Sequence, residues 1–107
     1  MVFKIYVLPK YDEWFQSQTE KSKVQIENRL DRIKQDGHFG HIRDLGDNLF
    51  ELKFNDGRRI YYTIIPVNNI ILLLGGNKNG QDNDIRKAKN SLQKAKENAK
   101  KRIIIKS

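Results

Sequence analysis

The stretch FELKFNDGRRIYY, residues 50–62, sets Lys53, Arg58 and Arg59 around a glycine-bearing turn, and GGNKNG shortly after it adds Lys78. Cations gathered at one place bind an anion such as a phosphate. Where charge develops during a reaction, they supply what is usually the largest electrostatic stabilisation. They also lower one another's pKa, which fits a Lys for proton transfer. No grouping of His, Asp or Glu has metal-ligand spacing, so no metal or other cofactor is expected.

Whether these cations meet depends on strand register. NDG is the signature of a three-residue hairpin loop closed by a left-handed Gly. With Asn55, Asp56 and Gly57 as the loop, Lys53 pairs with Arg59, Leu52 with Ile60, Glu51 with Tyr61 and Phe50 with Tyr62. Phe50, Leu52, Phe54, Ile60, Tyr62 and Ile64 then share one buried face, whereas a slip of one residue would bury charge. Arg59 points outward and Arg58 sits at the rim of the core face. A two-residue turn at Asn68-Asn69, where positive φ is tolerated, pairs Thr63 with Leu74 and Tyr61 with Gly76. Continued further, it sets Lys78 opposite Arg59, unless Gly75 and Gly76 bend the chain away first. Lys53, Arg59 and Lys78 form one row, with Tyr61 and Glu51 in the next. Like charges on neighbouring strands repel, so the row reads as an anion site. The alternative is a solvated basic face, since Lys and Arg make up 21 of 107 residues. Leu72 and Leu74 are expected on the same face, covered by the last helix or a partner.

The elements that must hold these residues follow from periodicity. VFKIYVL (2–8) reads as a strand stopped by Pro9. Tyr11, Trp14 and Phe15 mark one face of a short helix over 11–17. Ile26, Leu30 and Ile33 mark a second over 20–36, capped by Thr19 and stopped by Gly37. Residues 48–76 turn to period two, a three-strand meander. From residue 82 the period is helical again, with Asp82 as N-cap and Asp84 beside it. The order β-α-α-β-β-β-α is α+β: an antiparallel sheet core, an N-terminal helical hairpin and a C-terminal helix. A single domain over 1–107 is expected. Its 100–107 tail is ambiguous, since residues 103–105 could extend the helix, form a strand or stay loose.

Lys and Arg exceed Asp and Glu by 21 to 13, a formal +8, which favours an anionic partner. Residues 82–107 hold nine basic and three acidic side chains, six of the eight excess charges. Cysteine is absent, in keeping with a reducing compartment. The longest apolar run, residues 70–74, is too short for a membrane span, and MVFKIYVLPK lacks the form of a signal peptide. A cytoplasmic protein without membrane contact is the expectation.

The order FELK, GRRIYY, an apolar strand, then GGNKNGQDNDIRKA resembles the C-terminal half of the RelE/ParE superfamily of toxin–antitoxin toxins. It is closest to the HigB-like addiction module killer branch. EWF and IENRLDRIKQDGHFG are similar to that branch's helical hairpin and the loop after it. The resemblance reaches to about residue 97 and implies a RelE-like fold and a toxin neutralised by a cognate antitoxin, typically a small helix-turn-helix protein. Many such toxins are ribosome-dependent endoribonucleases (mRNA interferases) that use Lys and Arg of the central strands. By motif, Lys53, Arg59 and Lys78 take the catalytic positions. Arg59 would hold the scissile phosphate, and Lys53 or Lys78 would move protons as the 2′-hydroxyl attacks. Arg58, Tyr61, Arg86 and Lys87 are the candidate RNA contacts, Tyr61 by stacking a base or else simply as an exposed sheet aromatic.

The pattern also departs from the family. Some ribonucleolytic relatives carry Tyr or His after the last strand, where this chain has NGQDND. His38 and His41 would supply acid–base chemistry only if their loop folds over the sheet. Two alternatives stay open: a ParE-like inhibitor of DNA gyrase that cuts no RNA, and a non-toxic basic binding module.

Overall fold

Pro9, Thr19 and Gly37 punctuate the first third of the chain. A computed structural model describes residues 2–106, with side chains through residue 97. Strand β1 (Lys4–Val7) ends one residue before α1 (Pro9–Gln16), which has its proline at the first helical position, where the missing N–H costs nothing. Helix α2 (Glu20–Asp36) starts where the Thr19 hydroxyl accepts from the Ser22 amide at 3.2 Å, and it stops at Gly37 with φ +69°. These helix boundaries fall within two residues of those read from the sequence.

The sheet has one strand more than expected. Strand β2 (Ile42–Gly46) precedes β3 (Leu49–Lys53), β4 (Arg58–Ile65) and β5 (Asn69–Asn77). It is a short edge strand of IRDLG, mostly exposed and without apolar alternation, so its pattern gives no period-two signal. Among the described residues the sheet order is β1-β5-β4-β3-β2, with β1 parallel to β5 and every other pair antiparallel. A 3₁₀ turn (Lys78–Gly80) leads into α3 (Gln81–Lys106). Asp82 lies within the first turn of α3, since the helix starts at Gln81, one residue before the expected cap. The helical backbone continues through residues 103–105.

Two apolar layers lie on the two faces of this sheet. Tyr11 of α1 and Ile26, Leu30 and Ile33 of α2 pack with Leu52, Ile60, Tyr62, Ile70 and Leu72. Phe50, Phe54 and Ile64 join the same layer, so the whole apolar set expected for the first hairpin is in place. On the other face, Ala88 and Leu92 of α3 cover Leu49, Tyr61, Leu73 and Leu74. Each such aliphatic burial contributes about 1.5–3 kcal/mol, which is how an otherwise polar, lysine-rich α3 is held.

The pairing of β3 with β4 is the expected one: Phe50 with Tyr62, Glu51 with Tyr61, Leu52 with Ile60 and Lys53 with Arg59. The pairing of β4 with β5 differs. The turn is Pro66 to Asn68, with Asn68 at φ +58° and Asn69 already paired to Ile65. A bulge between Tyr61 and Tyr62 then shifts the ladder, so Tyr61 faces Leu74 and Arg59 faces Gly76. The turn register pairs Leu72 with Tyr62 and so sends it to the α1–α2 layer, while the extra residue, Leu73, goes under α3 together with Leu74. Leu72 therefore leaves the face on which it was expected.

Candidate anion-binding site

Lys53 is the last residue of β3, Arg59 the second of β4, and the two are direct partners across the hairpin. Lys78 is not on β5, because the strand ends at Asn77 and Lys78 opens the 3₁₀ turn. It still reaches the same place. Its amide donates to the Gly57 carbonyl at 2.9 Å. Its stem lies over that glycine, whose φ is +97° and whose missing Cβ would stand 3.5 Å from Lys78 Cδ. The three cations, with Phe54, Asn55, Gly57 and His41, line one open hollow of about 300 Å³. Among the described residues, none of the three forms an ion pair. Lys53 and Arg59 are part-buried and Lys78 is exposed. The cations thus meet by a different register from the one expected.

His41 enters the hollow because the loop between α2 and β2 is strapped to the sheet. Arg29 of α2 sends Nε and Nη2 to the Phe39 carbonyl at 3.1 and 3.0 Å, Nη2 to the His41 carbonyl at 2.8 Å, and Nη1 to the Lys53 carbonyl. The Lys53 amide in turn donates to the His41 carbonyl at 2.9 Å. Phe39 anchors the loop from the other side, edge-on to Phe3 and stacked on Tyr62. Desolvation holds the Arg29 guanidinium below its usual pKa, and the same guanidinium lies over the Phe54 ring at 4.7 Å. Sequence reasoning passed over Arg29. The available signal was its spacing, three after Ile26 and four before Ile33, which puts it on the sheet-facing side of α2. His38 is exposed and does not line the hollow.

Three expected RNA contacts lie elsewhere, and a fourth is exposed away from the hollow. Arg58 is a structural clamp: it donates to Asp56 through Nε at 2.7 Å, to Gln25 Oε1 at 2.6 Å and to the Ser22 carbonyl at 3.3 Å. With only 12% of its side chain exposed, it ties the hairpin turn to α2. The hydrogen bond from Arg58 holds the Asp56 carboxyl below the usual carboxylate range. Tyr61 is fully buried under α3 and offers no ring for stacking. Burial first, then the nearby Glu51 and Asp84 carboxylates, push its phenol well above the usual range. Lys87 is exposed on α3 and lines a separate hollow with Lys10, Glu13 and Trp14. Arg86 is exposed on α3.

Under the cationic row lies a buried polar layer. Glu51 has no exposed surface, and its Oε2 accepts from Gln81 Nε2 at 2.7 Å. Among the described residues, Glu51 Oε1, the Tyr61 hydroxyl and Arg59 Nε are buried without hydrogen-bond partners. Asp84, in the first turn of α3, lies against Gly76, where an added Cβ would stand 2.0 Å from its Oδ2. Burial raises the Asp84 pKa, with Lys87 opposing.

Comparison with known proteins agrees with this architecture. The family described as Phage derived protein Gp49-like (DUF891) matches residues 13–100. An uncharacterized protein of Haemophilus influenzae is 35% identical over 92 residues, which cover 83% of this chain and 92% of that protein. A chain of the intact E. coli RelBE toxin–antitoxin complex superposes with a TM-score of 0.60 at 12% identity, covering 70% of this chain and 95% of its own. A chain of the Staphylococcus aureus YoeB–YefM complex does so with a TM-score of 0.54 at 22% identity, covering 68% and 93%. Among the described residues no helix is long and apolar enough to cross a membrane. Family match, relative and fold together establish that the chain belongs to the phage-derived Gp49-like family and has the RelE-like toxin fold.

Proposed function

We propose that the protein is the toxin of a type II toxin–antitoxin pair and acts as a ribosome-dependent endoribonuclease on mRNA. The observation that carries this reading is the convergence of Lys53, Arg59 and Lys78 on one open hollow, with no carboxylate paired to any of them among the described residues. A polyanion relieves that repulsion, and a phosphodiester fits it. Arg59 holds the scissile phosphate and, with Lys53, stabilises charge as the 2′-oxygen attacks phosphorus. Lys78, the most exposed of the three, protonates the departing 5′ oxygen. The products are a 2′,3′-cyclic phosphate and a 5′-hydroxyl, and no metal is required. The antitoxin reading draws on the fold neighbours, two of which come from complexes named as RelBE and YoeB–YefM.

The test is mRNA cleavage during translation. Arg59→Ala, in a chain that keeps its thermal midpoint, lowers the cleavage rate by about 10²–10³-fold, the usual loss when one donor to a developing oxyanion is removed. Full cleavage by Arg59→Ala, or gyrase inhibition with intact RNA, would refute the ribonuclease reading.

A further inference from the structure

The hollow has two ends. Read across the sheet, Lys78 follows β5, Arg59 is on β4, Lys53 on β3, and His41 immediately precedes β2. By backbone position Lys78 and His41 therefore flank the two central cations, and the Lys78 stem lies back over Gly57 toward them. In-line displacement at phosphorus needs one group to receive the 2′-hydroxyl proton and another, across the phosphate, to release one to the leaving oxygen. An ammonium has protons to give and no lone pair to receive one, whereas a neutral imidazole keeps an acceptor nitrogen. We propose that His41 is the general base of this site: its imidazole receives the 2′-hydroxyl proton as the O2′–P bond forms and the P–O5′ bond breaks, while Lys78 protonates O5′. This assignment rests on the ribonuclease reading and completes it with a residue from outside the cationic row.

Two features favour His41 over the other groups near the hollow. The charged side chains that line the hollow with it are the cations Lys53 from β3, Arg59 from β4 and Lys78 from the 3₁₀ turn; Arg29 from α2 holds its carbonyl, and the Glu51 carboxyl lies buried in the next row. Among these side-chain types, only imidazole ordinarily changes charge between pH 5 and 8. The position is also built. Arg29 and the Lys53 amide both grip the His41 carbonyl, so the backbone is fixed, while the side chain lines the hollow.

The experiment is single-turnover cleavage of a defined mRNA on translating ribosomes by the full chain, from pH 5.5 to 9. His41→Gln is expected to lower the rate about 10²–10⁴-fold and to change the shape of the pH–rate profile from that of wild type. Its thermal midpoint should be unchanged, because the contacts that place this residue are made by its backbone. At the mapped cut site, sulfur in place of the bridging 5′ oxygen gives a leaving group that needs no proton. That substrate should leave His41→Gln slow, and rescue would overturn the role as base. Wild-type rate and pH profile in His41→Gln would overturn the assignment alone. A wild-type protein that cuts no RNA, free or on ribosomes, would overturn the ribonuclease reading and this assignment together.

Discussion

Glu51 and Arg59 lie two rungs apart on the same face of the β3–β4 ladder, and among the described residues each keeps a buried polar atom, Oε1 and Nε, without a hydrogen-bond partner. The carboxylate is wholly enclosed, yet its one direct partner is Gln81 at 2.7 Å. Burying a polar group is costly unless it is hydrogen-bonded, and Gln81 supplies that bond to one of the two oxygens. Glu51→Ala would orphan the Gln81 amide. A loss of about 1–3 kcal/mol is expected, read as a lower urea midpoint at unchanged slope.

Arg29 tests how the loop is held. Lys at that position keeps the charge but not the planar fork that reaches three carbonyls at once. Arg29→Lys should cost about 1–3 kcal/mol and raise amide hydrogen exchange at Lys53, whose N–H is bonded to the strapped loop. RNA cleavage should fall with it, although Arg29 does not line the hollow. Unchanged exchange at Lys53 would mean that Phe39 holds the loop without help.

Asp56 provides an acid signature. Its folded pKa is depressed by the hydrogen bond from Arg58, so the unfolded chain takes up its proton first as pH falls. The stabilisation is complete above the usual carboxylate pKa of about 4 and is lost below it as pH passes through the folded value. Asp56→Asn should flatten the pH dependence of the melting temperature in that window and leave it unchanged near neutrality. The same steepness in both proteins would contradict the clamp.

Tyr61 provides the alkaline counterpart. With its phenol raised by burial, ionisation favours the unfolded chain, so stability falls as pH rises past the unfolded value of about 10. Spectrophotometric titration should show Tyr11, Tyr61 and Tyr62 ionising only as the chain unfolds, since burial raises all three. Tyr61→Phe removes a hydroxyl without a partner and should change stability by no more than about 1 kcal/mol. Tyr61→Ala should cost about 3–5 kcal/mol.

What could be read from the residues depended on how sharply each local choice was constrained. NDG admits one loop type, and a slip would have buried Arg59, so the β3–β4 register was legible in full. Asn68-Asn69 was weaker evidence, because either Asn tolerates positive φ and the run IILLL looks alike in neighbouring registers. The bulge at Tyr61 and Tyr62 left no mark in the pattern. Arg58 and Arg59 are adjacent and chemically identical; alternation separated their faces but could not show that Gln25 and Ser22 of α2 would claim Arg58. Tyr61 was misjudged because the cover expected over Leu74 was not extended to its neighbour on β4, which α3 also covers. Glu51 went under the same cover.

Gly75 and Gly76 could have bent the chain away before Lys78, yet both remain in β5. A Cβ at residue 75 would come within 2.1 Å of the Trp14 indole, and one at residue 76 within 2.0 Å of the Asp84 carboxylate. Descendants of this chain therefore cannot drift freely at residue 75. Acquiring even an alanine at 75 calls for prior shrinkage at 14, so those two should change only as a pair, whereas at 76 a turn of the Asp84 carboxylate makes room.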